Sequence, residues 1–252
     1  MLCQAADAKY SDFSFTSFED QITVASGVTH FGGEFTLGQM RFAGDATIIP
    51  HTGNYMAKVD PTTYGPGHFA KGFTVGRSYR ASVWVHKNSP STAQLVVTLD
   101  GSVGGAHGGY TVTKTISKSD AANIIVGDWT LMTLTIDVPS DYTETGGSLN
   151  DLRTYLYNPG AGIAYYDDFL FRPIDAEVTG NVVDAKTGLQ LAELDKNDYA
   201  TKYVYDDASR IREIWTESPT YGWKLKKRYS YNFKRSYSVS YTHLTLPTNR
   251  EV

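Results

Sequence analysis

Two runs of the chain alternate aromatic and hydrogen-bonding side chains at a spacing of two, the pattern by which a strand presents flat rings between polar groups on one face. In Ser78–His86, Tyr79, Ala81, Val83 and Val85 fall on one side, and Arg80, Ser82, Trp84 and His86 on the other. In Leu152–Tyr157, Leu152, Thr154 and Leu156 oppose Arg153, Tyr155 and Tyr157. The aliphatic sets read as core. The mixed sets put aromatics among hydrogen-bonding groups, which suits either an exposed sheet face or a ligand platform. Arg80, Trp84, His86, Tyr155 and Tyr157 are therefore the candidate ligand residues. Tyr110 and His107, beside the glycine-rich loop 101–109, form a second candidate group. The same aromatics could instead pack between sheets or against a neighbouring domain.

Other chemistry is poorly served. There is no Gly-rich phosphate loop ahead of a helix, and no HExxH, GxSxG or CxxC. The six histidines are dispersed, without the helical i, i+4 pair of a zinc site. Cys3 is the only cysteine, so no intrachain disulfide can form, and its place near the start makes it a poor nucleophile. A glycoside hydrolase needs two carboxylates roughly 5–10 Å apart across a cleft. Glu19, Asp100, Asp137 and Asp167 are available, but their spacing singles out no pair, and catalysis is not expected.

Charge and hydropathy exclude further classes. The formal net charge is −4 and the basic residues are scattered, which gives nucleic-acid binding little electrostatic support. The one basic run, Lys224–Arg228, lies between Trp223 and Tyr229 and reads as a solvated hairpin face. No apolar run approaches the ~20 residues that span a bilayer.

The elements that must position these residues are strands. Tyrosine is abundant (18 residues), Thr, Ser and Gly are plentiful, and helical periodicity is missing, which predicts an all-β protein. Strand-sized runs occur at Asn54–Val59, Ser78–His86, Ala93–Leu99, Tyr110–Ile116, Trp129–Val138, Leu152–Tyr157 and Ala164–Phe171, separated by Gly, Pro, Asn and Asp. Ser119–Asn123 is the one candidate for a helical turn, and Trp129 reads as core. This spacing predicts a jelly-roll β-sandwich over 13–174. After Arg172-Pro173 come hairpin-like pieces at Val178–Asp184, Leu189–Asp195, Ala200–Tyr205, Ile211–Glu217 and Lys224–Phe233. They predict a small antiparallel β-hairpin repeat unit over 175–237, too small to bury much surface alone. Residues 1–12 are expected to be disordered.

Five pieces in order resemble the carbohydrate-binding-module type of galactose-binding-like jelly roll: Ser17–Asp20, His51–Val59, Gly76–Lys87, Gly127–Pro139 and Ala164–Pro173. The resemblance implies a glycan ligand. It also implies a structural calcium held by Glu19 with Asp167 or Asp168, completed by carbonyls near His51–Gly53. The second region resembles the YD (RHS) repeat of large bacterial surface and toxin-shell proteins. Its carrier is Tyr203–Ile211, a Tyr-x-Tyr-Asp-x-x-Gly-Arg pattern in which Ser209 stands for the usual turn glycine. Ser209 must then hold a negative φ or accept strain. In that family the repeats are scaffold, so the implied partners are a glycan and the remaining repeats of a parent protein.

Val239–Val252 resembles a translated sequencing adaptor: the codons GTC TCT TAT ACA CAT CTG ACG CTG CCG ACG spell Val239–Thr248 without a gap. Residues 238–252 are accordingly expected to be non-native. The opening residues carry no visible signal peptide and the native start is expected to be missing, so extracellular or cell-surface placement follows from resemblance alone. Three functional readings remain open: a non-catalytic glycan-binding or adhesion segment, a purely structural spacer or docking sandwich, and a carbohydrate-active enzyme fragment.

Overall fold

The computed structural model describes residues 2–9, 12–23, 29–31, 35–36, 41–70, 73–103, 110–143 and 152–231. The described residues contain no α-helix, and their strands form three antiparallel sheets. At the heart of the central sheet lies Ser78–His86, paired on one side with Trp129–Asp137 and on the other with Ala164–Pro173. Ile124–Val126 closes one end; Met56–Val59 and Arg41–Phe42 extend the other. The outer sheet runs Tyr110–Ser117, Gln94–Val103, Leu152–Asn158 and Thr63–Ala70, then continues through short strands at Phe35–Thr36, Thr29–Phe31 and Gln21–Thr23. These two sheets make the jelly-roll sandwich. The third sheet is a meander of Glu177–Val183, Gln190–Leu194, Ala200–Tyr205, Ile211–Ser218 and Gly222–Arg228.

Three hydrophobic clusters pack the layers, one of them around Trp84 and Trp129 with Tyr199 of the meander against it. Between central and outer sheets lie Tyr79, Ala81, Val83 and Val85 from one strand, with Leu95, Val97, Leu99, Leu152, Leu156, Tyr166 and Phe171 around them. The second core joins the central sheet to the meander: Phe15 and Leu170 pack with Ala176, Val178, Val182, Ala192, Leu194 and Ala200. The central sheet is thus buried on both faces, a situation strand parity cannot reveal, because alternation only says that two faces differ. Gly180 marks how closely the layers approach. A Cβ built there would lie 2.6 Å from the Phe15 ring. Gly180→Ala is therefore expected to destabilise the protein by about 1–3 kcal/mol, the usual range for overpacking; a denaturant midpoint at unchanged slope measures it.

The meander is built on a repeated turn. Asp184, Asp195 and Asp206 each donate a backbone N–H across the loop, to the carbonyls of Leu189, Tyr199 and Arg210. Each carboxylate accepts backbone N–H groups from the turn it opens, those of Lys186, of Asn197 and Tyr199, and of Ala208 and Arg210. Asp206 also receives Nε and Nη2 of Arg210, so the Asp–Arg pair locks its own hairpin. Every such turn contains a left-handed residue: Gly188 (φ 71°), Asp198 (φ 68°) and Ser209 (φ 59°). Ser209 therefore takes the strained of the two conformations open to it. An L-residue there costs roughly 1–2 kcal/mol, partly offset by the larger unfolded-state entropy of glycine, so Ser209→Gly should stabilise by about 0.5–1 kcal/mol. The same midpoint shift tests it.

Two expectations are corrected, and one strand is added. Leu2–Ala6, within the segment expected to be disordered, is a strand paired with Glu177–Asn181 at the edge of the meander. It finds order because Glu177–Val183 would otherwise leave an edge open to pairing. Ser119–Asn123 forms turns rather than a helical piece. Thr63–Ala70, outside the strand-sized runs read from the sequence, is a full strand through Gly65-Pro66-Gly67; Val59 and Leu156 fill the space beside Gly65, and Tyr155 that beside Gly67. The tail 239–252 lies outside the described residues.

Candidate functional site

The candidates on the central strand are not on the surface. Trp84 is 0% exposed; its Nε1 donates to the carbonyl of Asp198 in the meander at 3.0 Å, and its ring stacks on His51 at 4.2 Å. Arg80 Nη2 reaches Asp198 Oδ2 at 2.7 Å. His86 is buried edge-on to Trp129, and burial pushes its pKa below the ordinary imidazole value. The meander therefore occupies the face on which a ligand was expected. Of the five candidates, Arg80 and Trp84 contact the meander, and His86 is buried within the sandwich beside Trp129 and Tyr165.

Tyr155 and Tyr157 are placed differently. Their strand alternates as anticipated, with Leu152, Thr154, Leu156 and Asn158 buried and Arg153, Tyr155 and Tyr157 half-buried on the outer face. No layer of the described residues covers them. The neighbouring strand adds Tyr64, 59% exposed, with its ring centroid 4.7 Å from Tyr157 in a stacked arrangement and 5.5 Å from Tyr155 edge-on. Tyr64 lies outside the strand-sized runs read from the sequence, because Gly65-Pro66-Gly67 interrupts local strand propensity there. Its strand partner Tyr157 and the missing side chain at Gly67, over which Tyr155 lies, are the local reasons the three rings meet. On the other flank, cross-strand register places Gln94 beside Tyr157, Val96 beside Tyr155 and Thr98 beside Arg153. Arg153 is paired with Asp100. Three rings bordered by the Gln94 amide and the Arg153–Asp100 pair form an amphipathic surface, while Thr98 is buried with its hydroxyl against that of Thr113. His107 lies outside the described residues, and Tyr110 begins the edge strand of this same sheet.

The acidic candidates converge, but around protein donors. The strand Ala164–Pro173 shifts register between Asp167 and Leu170, and Asp168 is left-handed at φ 49°, so consecutive carboxylates both turn towards the 51–55 loop. Asp167 accepts the N–H groups of Thr52 and Asp168. Asp168 accepts the Thr52 hydroxyl and His51 Nδ1, each at 2.7 Å. Glu19 Oε1 accepts the N–H groups of Asn54 and Tyr55 at 2.6 and 2.8 Å. Burial raises the Glu19 pKa to about 7 against those hydrogen bonds, and burial with the charge of Asp168 raises that of Asp167. Calcium needs six to eight oxygens, while the loop offers these carboxylates N–H and O–H donors. Among the described residues no group of three or more His, Cys, Asp or Glu is arranged to hold a metal ion. The donor set as arranged does not fit the implied calcium. Nor do the carboxylates face one another across an open cleft, since Asp100 and Asp137 are held by Arg153 and Ser78 on different sheets.

No family model and no curated protein matches the chain. Among solved structures it is similar to a family 16 carbohydrate-binding module, at 17% identity and a TM-score of 0.36, over 48% of this chain and 78% of that one. It is also similar to a family 22 xylan-binding domain from Paenibacillus barcinonensis, at 17% identity and a TM-score of 0.35, over 63% of this chain and 92% of that one. A further family 22 xylan-binding domain aligns at 13% identity and a TM-score of 0.34, over 66% and 90%. At such scores these likenesses assign no ligand.

Proposed function

We propose that this chain is a non-catalytic glycan-binding module whose ligand lies on the outer sheet, across Tyr64, Tyr155 and Tyr157. The observation that carries the reading is the three-ring cluster, which no layer of the described residues covers, with polar groups on its flank. Stacking of sugar faces on such rings, with Gln94 and Arg153 reaching ring hydroxyls, is what the surface can do chemically. The non-catalytic part is supported by the state of the buried acids, which are engaged with the 51–55 loop beneath the meander. The test is calorimetric titration of the full chain with soluble polysaccharides, xylan among them, beside the double variant Tyr155→Ala/Tyr157→Ala. Saturable binding lost in the variant supports the assignment; binding of equal strength in both would place the ligand elsewhere.

The structural-spacer reading draws on a specific observation of its own, the burial of Trp84 and Arg80 against the meander. Tyr155 is not buried there, and this separates the two readings. In the same proposal, the Asp-opened turns make the meander the scaffold of a larger extracellular repeat protein, with the remaining repeats as its partners.

A further inference from the structure

Where the central sheet meets the meander, one histidine is buried among ions and tryptophans. His51 is 0% exposed, stacked on Trp84, edge-on to Trp129 at 5.6 Å and 5.9 Å from Trp223. Its Nδ1 lies 2.7 Å from Asp168 Oδ2 in the central sheet, and its Nε2 2.9 Å from Glu217 Oε1 in the meander. A neutral imidazole has one N–H and cannot donate to two carboxylates at once; the doubly protonated ring can. The remaining acceptors are matched as well: Asp168 Oδ1 takes the Thr52 hydroxyl, and Glu217 Oε2 takes the N–H of Ala200 at 3.2 Å. Two buried carboxylates from different layers thus share the two nitrogens of one ring.

We propose that His51, as a buried imidazolium, supplies the positive charge of this acidic site in place of a bound metal ion and fastens the meander to the sandwich through Asp168 and Glu217. The second sheet is then part of the sandwich's charge balance, because removing it would strip His51 of one partner and expose Trp84.

The groups facing His51 set the sign of the pH dependence. Asp168 of the central sheet and Glu217 of the meander hold the ring directly; Asp167 adjoins Asp168, and the ammonium of Lys202 lies 3.9 Å from the centroid of the Trp223 ring. Burial alone would lower the pKa of His51, but the charges of Glu217 and Asp168 and their hydrogen bonds outweigh it and the net direction is upward. A folded-state pKa above the unfolded value of about 6.5 means that the contribution is complete below that pH and is lost as pH rises through the folded value. Lys202 is pulled down to about 8 by burial, so its contribution changes above that pH and with the opposite sign. Glu19 and Asp167 share the sign of His51, so only a comparison with a His51 variant isolates the ring.

The experiment is thermal unfolding of the full chain and of His51→Gln between about pH 5.5 and 8, each with calcium and with a chelator. The wild type is expected to melt about 5 °C or more above the variant at the acid end, with the gap closing as pH rises and no calcium effect. A gap independent of pH, or a calcium-dependent rise in wild-type melting, overturns the proposal. If His51→Gln does not fold, ring-nitrogen NMR of the wild type at neutral pH and the melting of Glu217→Gln decide. A doubly protonated ring with a weaker pH slope in Glu217→Gln is expected; a neutral ring refutes the assignment.

Discussion

Trp84→Ala should lower the stability of the full chain by about 3–5 kcal/mol, as expected for emptying a fully packed aromatic site. Three losses coincide there. The indole leaves a cavity among Ile48, Met56, Val126, Trp129 and Leu131, His51 loses its stacking partner, and the Asp198 carbonyl loses a donor from the neighbouring layer. Trp84→Phe keeps most of the volume but not the N–H, so it should cost a smaller part, with Asp198 left to find water. Urea unfolding of both variants measures this. Neither change is expected to alter glycan affinity in the folded protein, because the ring lies on the opposite side of the central sheet from the tyrosine face. A Trp84→Ala protein of wild-type stability would contradict the three-layer packing.

The second large effect concerns binding. Removing Tyr155 and Tyr157 together takes two rings from the centre of the proposed surface. Central aromatic anchors commonly contribute about 2 kcal/mol each, so losing both should lower affinity by roughly three orders of magnitude if the two contributions add. Stability should change little, because both side chains are only half-buried on the outer face. Tyr64→Ala is expected to weaken binding less, as Tyr64 sits to one side and is the most exposed of the three. Equal losses of stability and affinity in the double variant would instead mean that the rings are packing residues.

The sequence carried much of this architecture, and its failures have physical causes. Strand positions from Ser78 to Phe171 were legible because alternation and turn residues are local signals; Ser78–His86 and Ala200–Tyr205 fall where the pattern placed them. Parity also separated Tyr155 and Tyr157 from Leu156 correctly. For Trp84 the identical argument failed. Alternation assigns a residue to a face, but a third layer contributed by residues 177–223 decides whether that face meets water. Tyr64 was hidden for a different reason: Gly65-Pro66-Gly67 breaks local strand propensity, and only the packing of Val59, Leu156 and Tyr155 into the glycine positions explains why a strand forms there. The acidic residues were found in the right neighbourhood. What could not be read is that Glu217, far along the chain, returns to share His51 with Asp168.

Hydrogen exchange on the full chain, with and without the polysaccharide that binds in titration, tests the central claim most directly. The account predicts that ligand slows exchange in Thr63–Ala70, Gln94–Val103 and Leu152–Asn158 while leaving the meander strands at their free rates. Protection confined to residues 177–228, or to the 51–55 loop beneath them, would contradict it and move the site away from the tyrosine face.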